Sequence, residues 1–270
     1  MAEATTREEV FGAPPLQAVQ RRAAALWTLV EGDPRWSCHG RAVGLADPGT
    51  VAEQAALARL QGVGPAEGVP LAGIPARRAA LEAEGLRTDA FRDWRGGDAA
   101  ATAAEAAIAA RPLPADLALV SVDAETPGEA LAALDALTAA CGVLLPMGAF
   151  LRGLRRPAVC LVARDREGRA VAASAAVAQF HPDHPRGGEA WWGMLATDSG
   201  RRREGLALAL GARSLLAMRA RHGIARVFTG IREGNAASER VCTALGLAPS
   251  EAGVVIAIDP AAFEGDRLTG

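Results

Sequence analysis

Along the second half of the chain the spacing of apolar residues switches between two and about 3.6, and the switches mark out elements. Residues 157–164 read as a strand, 165–169 as its turn and 170–180 as the antiparallel partner. Residues 189–197 predict the next strand and 205–221 a long alanine- and leucine-rich helix. A strand over 225–231 follows, then a helix opened by Asn235 and closed by Leu245-Gly246-Leu247, then a last strand over 253–258. Ahead of these, 117–122 reads as a strand and 126–140 as a helix, with Pro127 in its first turn and Glu129 beside its positive end.

The front half is patterned differently. Leu16, Val19, Ala23, Leu26 and Val30 form a helical stripe over 16–31, which Asp33-Pro34 breaks. Further helices are expected over 51–60, 75–84 and 99–110, separated by glycine- and proline-bearing turns at 62–73 and 95–97. No internal repeat is visible. Pro112-Leu113-Pro114 is the best boundary, dividing a mostly helical accessory region, 1–113, from a second domain, 114–270. Trp27, Trp36 and Trp94 are expected to pack in a core or between the two parts.

With 270 residues, half of them apolar, the chain can bury a substantial core. Its net charge of −2 carries no polyanion signal, so nucleic acid is not an expected partner. No stretch approaches the ~20 apolar residues that span a bilayer, and the acidic start Met1-Ala2-Glu3-Ala4 is unlike a secretory leader, so a cytoplasmic location without membrane contact is expected. Cys38, Cys141, Cys160 and Cys242 lie far apart, which predicts free thiols and no metal site. His181-Pro182-Asp183-His184 lacks a third convergent ligand and is expected to be a solvated loop.

Candidate chemistry is concentrated at 194–207, where a strand runs into a basic, glycine-containing turn and a helix starts at once. Such a helix start offers unpaired N–H groups and the positive end of the helix dipole to a phosphate. Gly205 and Ala207 carry little side chain, so the backbone there can approach an anion closely.

Arg202-Arg203-Glu204-Gly205-Leu206-Ala207 fits the pattern Arg/Gln-x-x-Gly-x-Gly/Ala and resembles the pyrophosphate loop of the GNAT superfamily of acyl-CoA-dependent N-acyltransferases. The order of elements around it and the helix from Asn235 to Leu247 are similar to the same family. The resemblance covers about residues 116–259. It implies an α+β fold, a GNAT-like mixed and mostly antiparallel sheet flanked by helices, with acetyl-CoA as co-substrate. It also implies that Leu195, Ala196 and Thr197 hold the pantetheine arm, that residues 202–207 hold the diphosphate, and that Asn235 lies beside the cofactor.

Transfer of an acyl group to an amine needs a base, an oxyanion site and a protonated leaving thiolate. Glu189 is the base candidate, on the face of its strand shared by Trp191, Gly193 and Leu195 at a two-residue period. Cys242 stands where the family commonly has a tyrosine, of which this chain has none, and is the candidate acid. In the family the segment between the first two helices covers the acceptor; here it is 141–152, with Leu144, Leu145, Pro146, Met147 and Phe150 as an expected apolar lining.

The expected activity is therefore N-acetyl transfer from acetyl-CoA to the primary amine of a small metabolite or amino-acid-like acceptor, by direct attack in a ternary complex. The front half is expected to shape the acceptor site without touching the cofactor. Alternatives are a non-catalytic acyl-CoA-binding regulatory module and a protein N-terminal acetyltransferase. A homodimer is left open.

Overall fold

The computed structural model describes residues 9–262 and 267. In chain order the elements are α1 (Pro14–Val30), β1 (Trp36–Ser37), β2 (Gly44–Leu45), α2 (Val51–Gln61), β3 (Val63–Pro70), α3 (Ile74–Ala83), β4 (Arg87–Gly96) and α4 (Asp98–Ala110). There follow β5 (Ala118–Val122), α5 (Gly128–Ala140), α6 (Gly148–Leu151), β6 (Ala158–Arg164), β7 (Ala170–Ala178) and β8 (Glu189–Thr197). The chain continues through α7 (Leu206–His222), β9 (Arg226–Ile231), α8 (Ala236–Ala244) and β10 (Ala248–Ile258). It is an α+β fold with one mixed, mostly antiparallel sheet in the order β1-β2-β3-β10-β4-β9-β8-β7-β6-β5.

Local chemistry explains several boundaries. Thr50 and Glu53 form a reciprocal capping box at the start of α2, and Gly62, at φ 104°, ends it. Gly205 at φ 79° and Gly223 at φ 70° bracket α7. β7 is almost wholly alanine and valine because helices cover both of its faces. On one side Ala173, Ala175 and Val177 share a core with Leu131, Leu134, Phe150 and Trp191. On the other, Ala176 and Ala178 pack with Trp192, Leu215 and Met218. Thin side chains let both layers approach the strand.

The expectation of a mostly helical region 1–113 is corrected, because it supplies β1, β2, β3 and β4 of the sheet, β3 lying where a turn is expected and β4 extending into another. β3 runs through 63–70 despite Gly64, Pro65, Gly68 and Pro70, and β4 ends on Arg95-Gly96. Gly64 is required at its position: a Cβ there would stand 2.5 Å from the Gln54 carbonyl oxygen on α2.

These strands carry a pseudo-two-fold relation. β2-α2-β3-α3-β4 repeats the course of β8-α7-β9-α8-β10: β2 pairs β3 in parallel and β8 pairs β9 in parallel. The last strands of the two units are exchanged. β10 pairs with β3, β4 pairs with β9, and the two exchanged strands pair with each other. The 113/114 division falls in the connection between α4 and β5, but three strand pairings of the sheet, β3 with β10, β10 with β4 and β4 with β9, join the two sides of it.

Candidate active site

β8 leads into Asp198, whose Oδ1 accepts from the Gly200 N–H at 2.9 Å, and a 3₁₀ turn over Ser199–Arg201. Arg201 braces the turn from outside, pairing with Glu204 at 2.7 Å and Asp116 at 2.9 Å. The chain then enters the left-handed region at Arg203, φ 70°, and again at Gly205, φ 79°. Left- and right-handed residues in succession turn backbone N–H groups toward one concavity. The N–H groups of residues 202–208 have no acceptor among the described residues. Leu206 buries its side chain, while those of Arg202 and Arg203 are exposed.

A further arginine reaches the loop from the front half. A Cβ on Gly205 would lie 3.2 Å from Nη1 of Arg111, the residue that ends α4. Residues 1–113, expected to shape the acceptor site alone, thus also reach the loop expected to hold the cofactor. The pseudo-equivalent helix start, at α2, is closed by its own side chains. Glu53 Oε2 accepts from the Thr50 N–H at 2.7 Å, Thr50 Oγ1 from the Glu53 N–H at 3.1 Å, and Arg77 covers the Gly49 carbonyl at 3.1 Å. Of these two helix starts, that of α7 is the one left open to an anion.

Beside the loop the sheet splits. β8 and β9 are paired through Trp191 and Phe228 and no further. Beyond that pair, Gly193, Met194 and Leu195 on one strand and Thr229, Gly230 and Ile231 on the other line a cavity of about 220 Å³. The register of β8 against β7 shifts between Ala173 and Ala175, and Met194 on the bulge has φ 55°. The bulge breaks the two-residue period. Trp191 packs in the core on the α5 side, whereas Leu195 packs with Trp192 against α7, so the expected common face of Glu189, Trp191 and Leu195 is not kept.

Carboxylates enter the cavity from the front half. Glu67 on β3 and Asp93 on β4 line it, together with His39, Arg41 and Gln179. Gln179 Nε2 donates to Glu67 Oε1 at 2.6 Å. Burial, reinforced by the neighbouring Asp93 charge, lifts the Glu67 carboxyl to about 7. Asp93 pairs with Arg95 at 3.0 Å and lies 3.9 Å from Arg186, yet burial still raises its pKa. Trp191 stacks with His39 at 4.6 Å, and the Arg41 guanidinium lies 4.7 Å from its ring. Burial and the Arg41 charge depress the His39 imidazole to about 3.

The structure separates the residues singled out from sequence. Leu195, Asn235 and Cys242 line the cavity. Ala196 and Thr197 continue β8 toward the loop, paired with Ala173 and Ala172, and the buried Thr197 hydroxyl has no partner among the described residues. Asn235 also caps α8, accepting from the Ser238 N–H at 3.2 Å. Glu189 does not line the cavity; its Oε2 accepts from Arg186 Nε at 2.9 Å. Burial and the nearby Glu239 push the Cys242 thiol up to about 12, so it holds its proton.

In the segment 141–152 it is Gly142 and Val143 that reach the cavity, while Leu144, Leu145, Met147 and Phe150 turn into the core. In the 181–184 loop Pro182 and Asp183 are exposed, as expected of a solvated loop, but its last residue is docked. His184 is buried, stacks on Phe180 at 5.0 Å and reaches Asp47 at 3.3 Å. Glu67, Asp93, Arg41 and Arg111 were outside the sequence-based set, since on either side of the 113/114 boundary nothing in the spacing links them to the loop.

No family model matches the sequence, and no curated protein matches it. Solved structures do match. A GCN5-related N-acetyltransferase from Kribbella flavida is 17% identical over 90% of this chain and 95% of its own, with a TM-score of 0.51. A tandem GNAT protein from the clavulanic acid biosynthesis pathway is 19% identical, covering 76% of this chain and 67% of its own, with a TM-score of 0.52. A Drosophila protein is 16% identical over 91% of this chain and 89% of its own, with a TM-score of 0.53. At these identities the likeness is one of fold alone: this chain has the fold of the GCN5-related N-acetyltransferase structures that it matches.

Proposed function

We propose that this protein is an acyl-CoA-dependent N-acyltransferase that moves an acetyl group from acetyl-CoA to the primary amine of a small acceptor. The observation that carries this reading is the pairing of an open anion nest at residues 202–208 with a split between β8 and β9 that leads from it to a buried, proton-accepting carboxylate. The nest suits a diphosphate, with Arg111, Arg202 and Arg203 as surrounding charge. The unpaired edge of β8 past Trp191 suits an extended amide-bearing arm, which adds to a sheet edge by hydrogen bonding. The neighbours' names, as GCN5-related N-acetyltransferases and a tandem GNAT protein solved without AcCoA, agree with such a co-substrate.

Glu67 is the base in this reading, in place of Glu189. A carboxyl near 7 is half ionised at neutral pH and strong enough to take a proton from an ammonium group held against it. The neutral amine attacks the thioester carbonyl, the oxyanion faces backbone N–H groups of the β8 bulge, and collapse forms the amide, breaks the C–S bond to release the thiolate and passes the nitrogen's remaining surplus proton to solvent. Cys242 is too weak an acid to supply the thiolate's proton, which comes from solvent; its neutral thiol fills the tyrosine's place. Glu189 fixes Arg186 beside Asp93.

The test is release of coenzyme A thiol across a panel of primary amines. Glu67→Gln is expected to lower kcat by roughly 10²–10⁴ with acetyl-CoA affinity kept, while Glu189→Gln and Cys242→Ser stay within about tenfold of wild type. Full activity in Glu67→Gln removes Glu67 from the mechanism. Binding of acetyl-CoA without turnover of any amine favours the regulatory-module reading.

A further inference from the structure

The ionic groups that line the cavity are unevenly matched. Arg232 pairs with Asp89 at 2.7 Å, and Asp93 pairs with Arg95 at 3.0 Å. Two groups are left. Glu67 has the Gln179 amide as its direct hydrogen-bond partner and no ion pair among the described residues. Arg41 uses Nε on the Leu144 carbonyl at 2.6 Å and rests on the Trp191 ring, and it has no carboxylate partner among the described residues.

Both groups feel their isolation in the same way. Burial draws the Arg41 guanidinium down to about 9 and draws the Glu67 carboxyl up, each toward its neutral form. No ion pair joins them to one another. A lone cation and a lone acid held apart in one cavity are complementary to a molecule with two opposite charges, which relieves both at once. His39 is neutral and competes for neither charge.

We infer that the acceptor is an amine that also carries a carboxylate, an α-amino acid, with its carboxylate on the free Nη atoms of Arg41 and its amino group at Glu67. This rests on the acyltransferase reading above and makes Arg41 a specificity-determining residue. Nη1 and Nη2 offer the paired donors that a carboxylate engages in a bidentate way. Trp191, Phe91 and Phe228 form apolar walls around the same space, which suits a hydrophobic side chain. An amine without the carboxylate leaves Arg41 desolvated and unpaired.

The experiment is calorimetric titration of the full-length protein with each of the twenty proteinogenic amino acids and with the decarboxylated amine of each that binds. Titrations are run with and without coenzyme A, which occupies the cofactor cleft and cannot react. At least one amino acid is expected to bind, and its decarboxylated amine at least about thirtyfold more weakly. Arg41→Gln should weaken the amino acid by a similar factor and leave the amine within about threefold, with Arg41→Lys intermediate.

Binding by none of the twenty overturns the proposal, as does equal affinity for an amino acid and its decarboxylated amine. If Arg41→Gln does not fold, the wild-type comparison decides alone. The heat of coenzyme A binding is read in the same titrations, so failure of the acyltransferase reading is seen separately from failure of the acceptor assignment.

Discussion

At the scale of single residues, Glu67 ties stability to acidity. Its carboxyl is raised from an ordinary 4.5 to about 7, so the folded protein holds that proton more tightly than the unfolded chain. The stabilisation is full below about 4.5 and is lost as pH rises through about 7. Glutamine cannot ionise. Glu67→Gln is therefore expected to melt higher than wild type at pH 8, with the gap closing toward pH 5; thermal melts across that range test it. A gap that is constant with pH contradicts the assignment. Residues of this kind are hard to find from sequence, because Glu67 stands in a glycine- and proline-bearing stretch that reads as a turn, although it is buried on β3. The anion nest was legible for the opposite reason: Gly205 and the arginines before it write a backbone requirement directly into the sequence.

Among elements, the seating of α7 against the β8 bulge decides whether nest and cleft are aligned. Trp192 on β8 donates from Nε1 to the Gly211 carbonyl at 3.1 Å and to Ser214 Oγ at 3.0 Å, and Ser214 Oγ lies 2.7 Å from Ser174 Oγ on β7. Gly211 makes this close approach possible, since a Cβ there would stand 2.6 Å from Trp192 Cζ2. Gly211→Ala must push α7 or the indole away, at a cost of about 1–3 kcal/mol. Denaturant unfolding is expected to show that loss together with weakened acetyl-CoA affinity, because Trp192 also lines the cavity. Unchanged stability would separate the bulge from the helix. The longer helices and strands of the second half were readable from periodicity, though not α6 or the first residues of β10. The bulge was not: Met194 at φ 55° obeys no sequence rule for a non-glycine residue, and through it the inferred face of Leu195 was inverted.

For the whole molecule, the exchanged strands make the two units interdependent. β4 is the neighbour of both β9 and β10, and β3 covers the other edge of β10. A fragment of residues 114–270 therefore exposes β9 and leaves β10 without either partner. We expect it to lack cooperative thermal unfolding, and to recover it when residues 1–113 are supplied in trans. A fragment that unfolds cooperatively on its own would contradict this. The proline-bearing connection at 112–114 looked like a joint because sequence shows where the chain is covalently continuous, not where β10 returns to pair. The pseudo-repeat was equally hidden: the loop over 46–50 closes its helix start with Thr50 and Glu53, while the loop over 198–205 leaves its own open.

The claim on which every scale depends is that the α7 loop holds the diphosphate of an acyl-CoA, and calorimetric titration with acetyl-CoA addresses it most directly. Gly205→Glu places a carboxylate and a side chain at a left-handed position in the centre of the nest, and Arg111→Gln removes the charge beside it. The account predicts saturable binding to wild type with a Kd between about 1 µM and 1 mM. It predicts about tenfold weaker binding to Arg111→Gln and none detectable to Gly205→Glu, with all three proteins folded by circular dichroism. Wild type that does not bind acetyl-CoA, or Gly205→Glu that binds it as tightly as wild type, would contradict it.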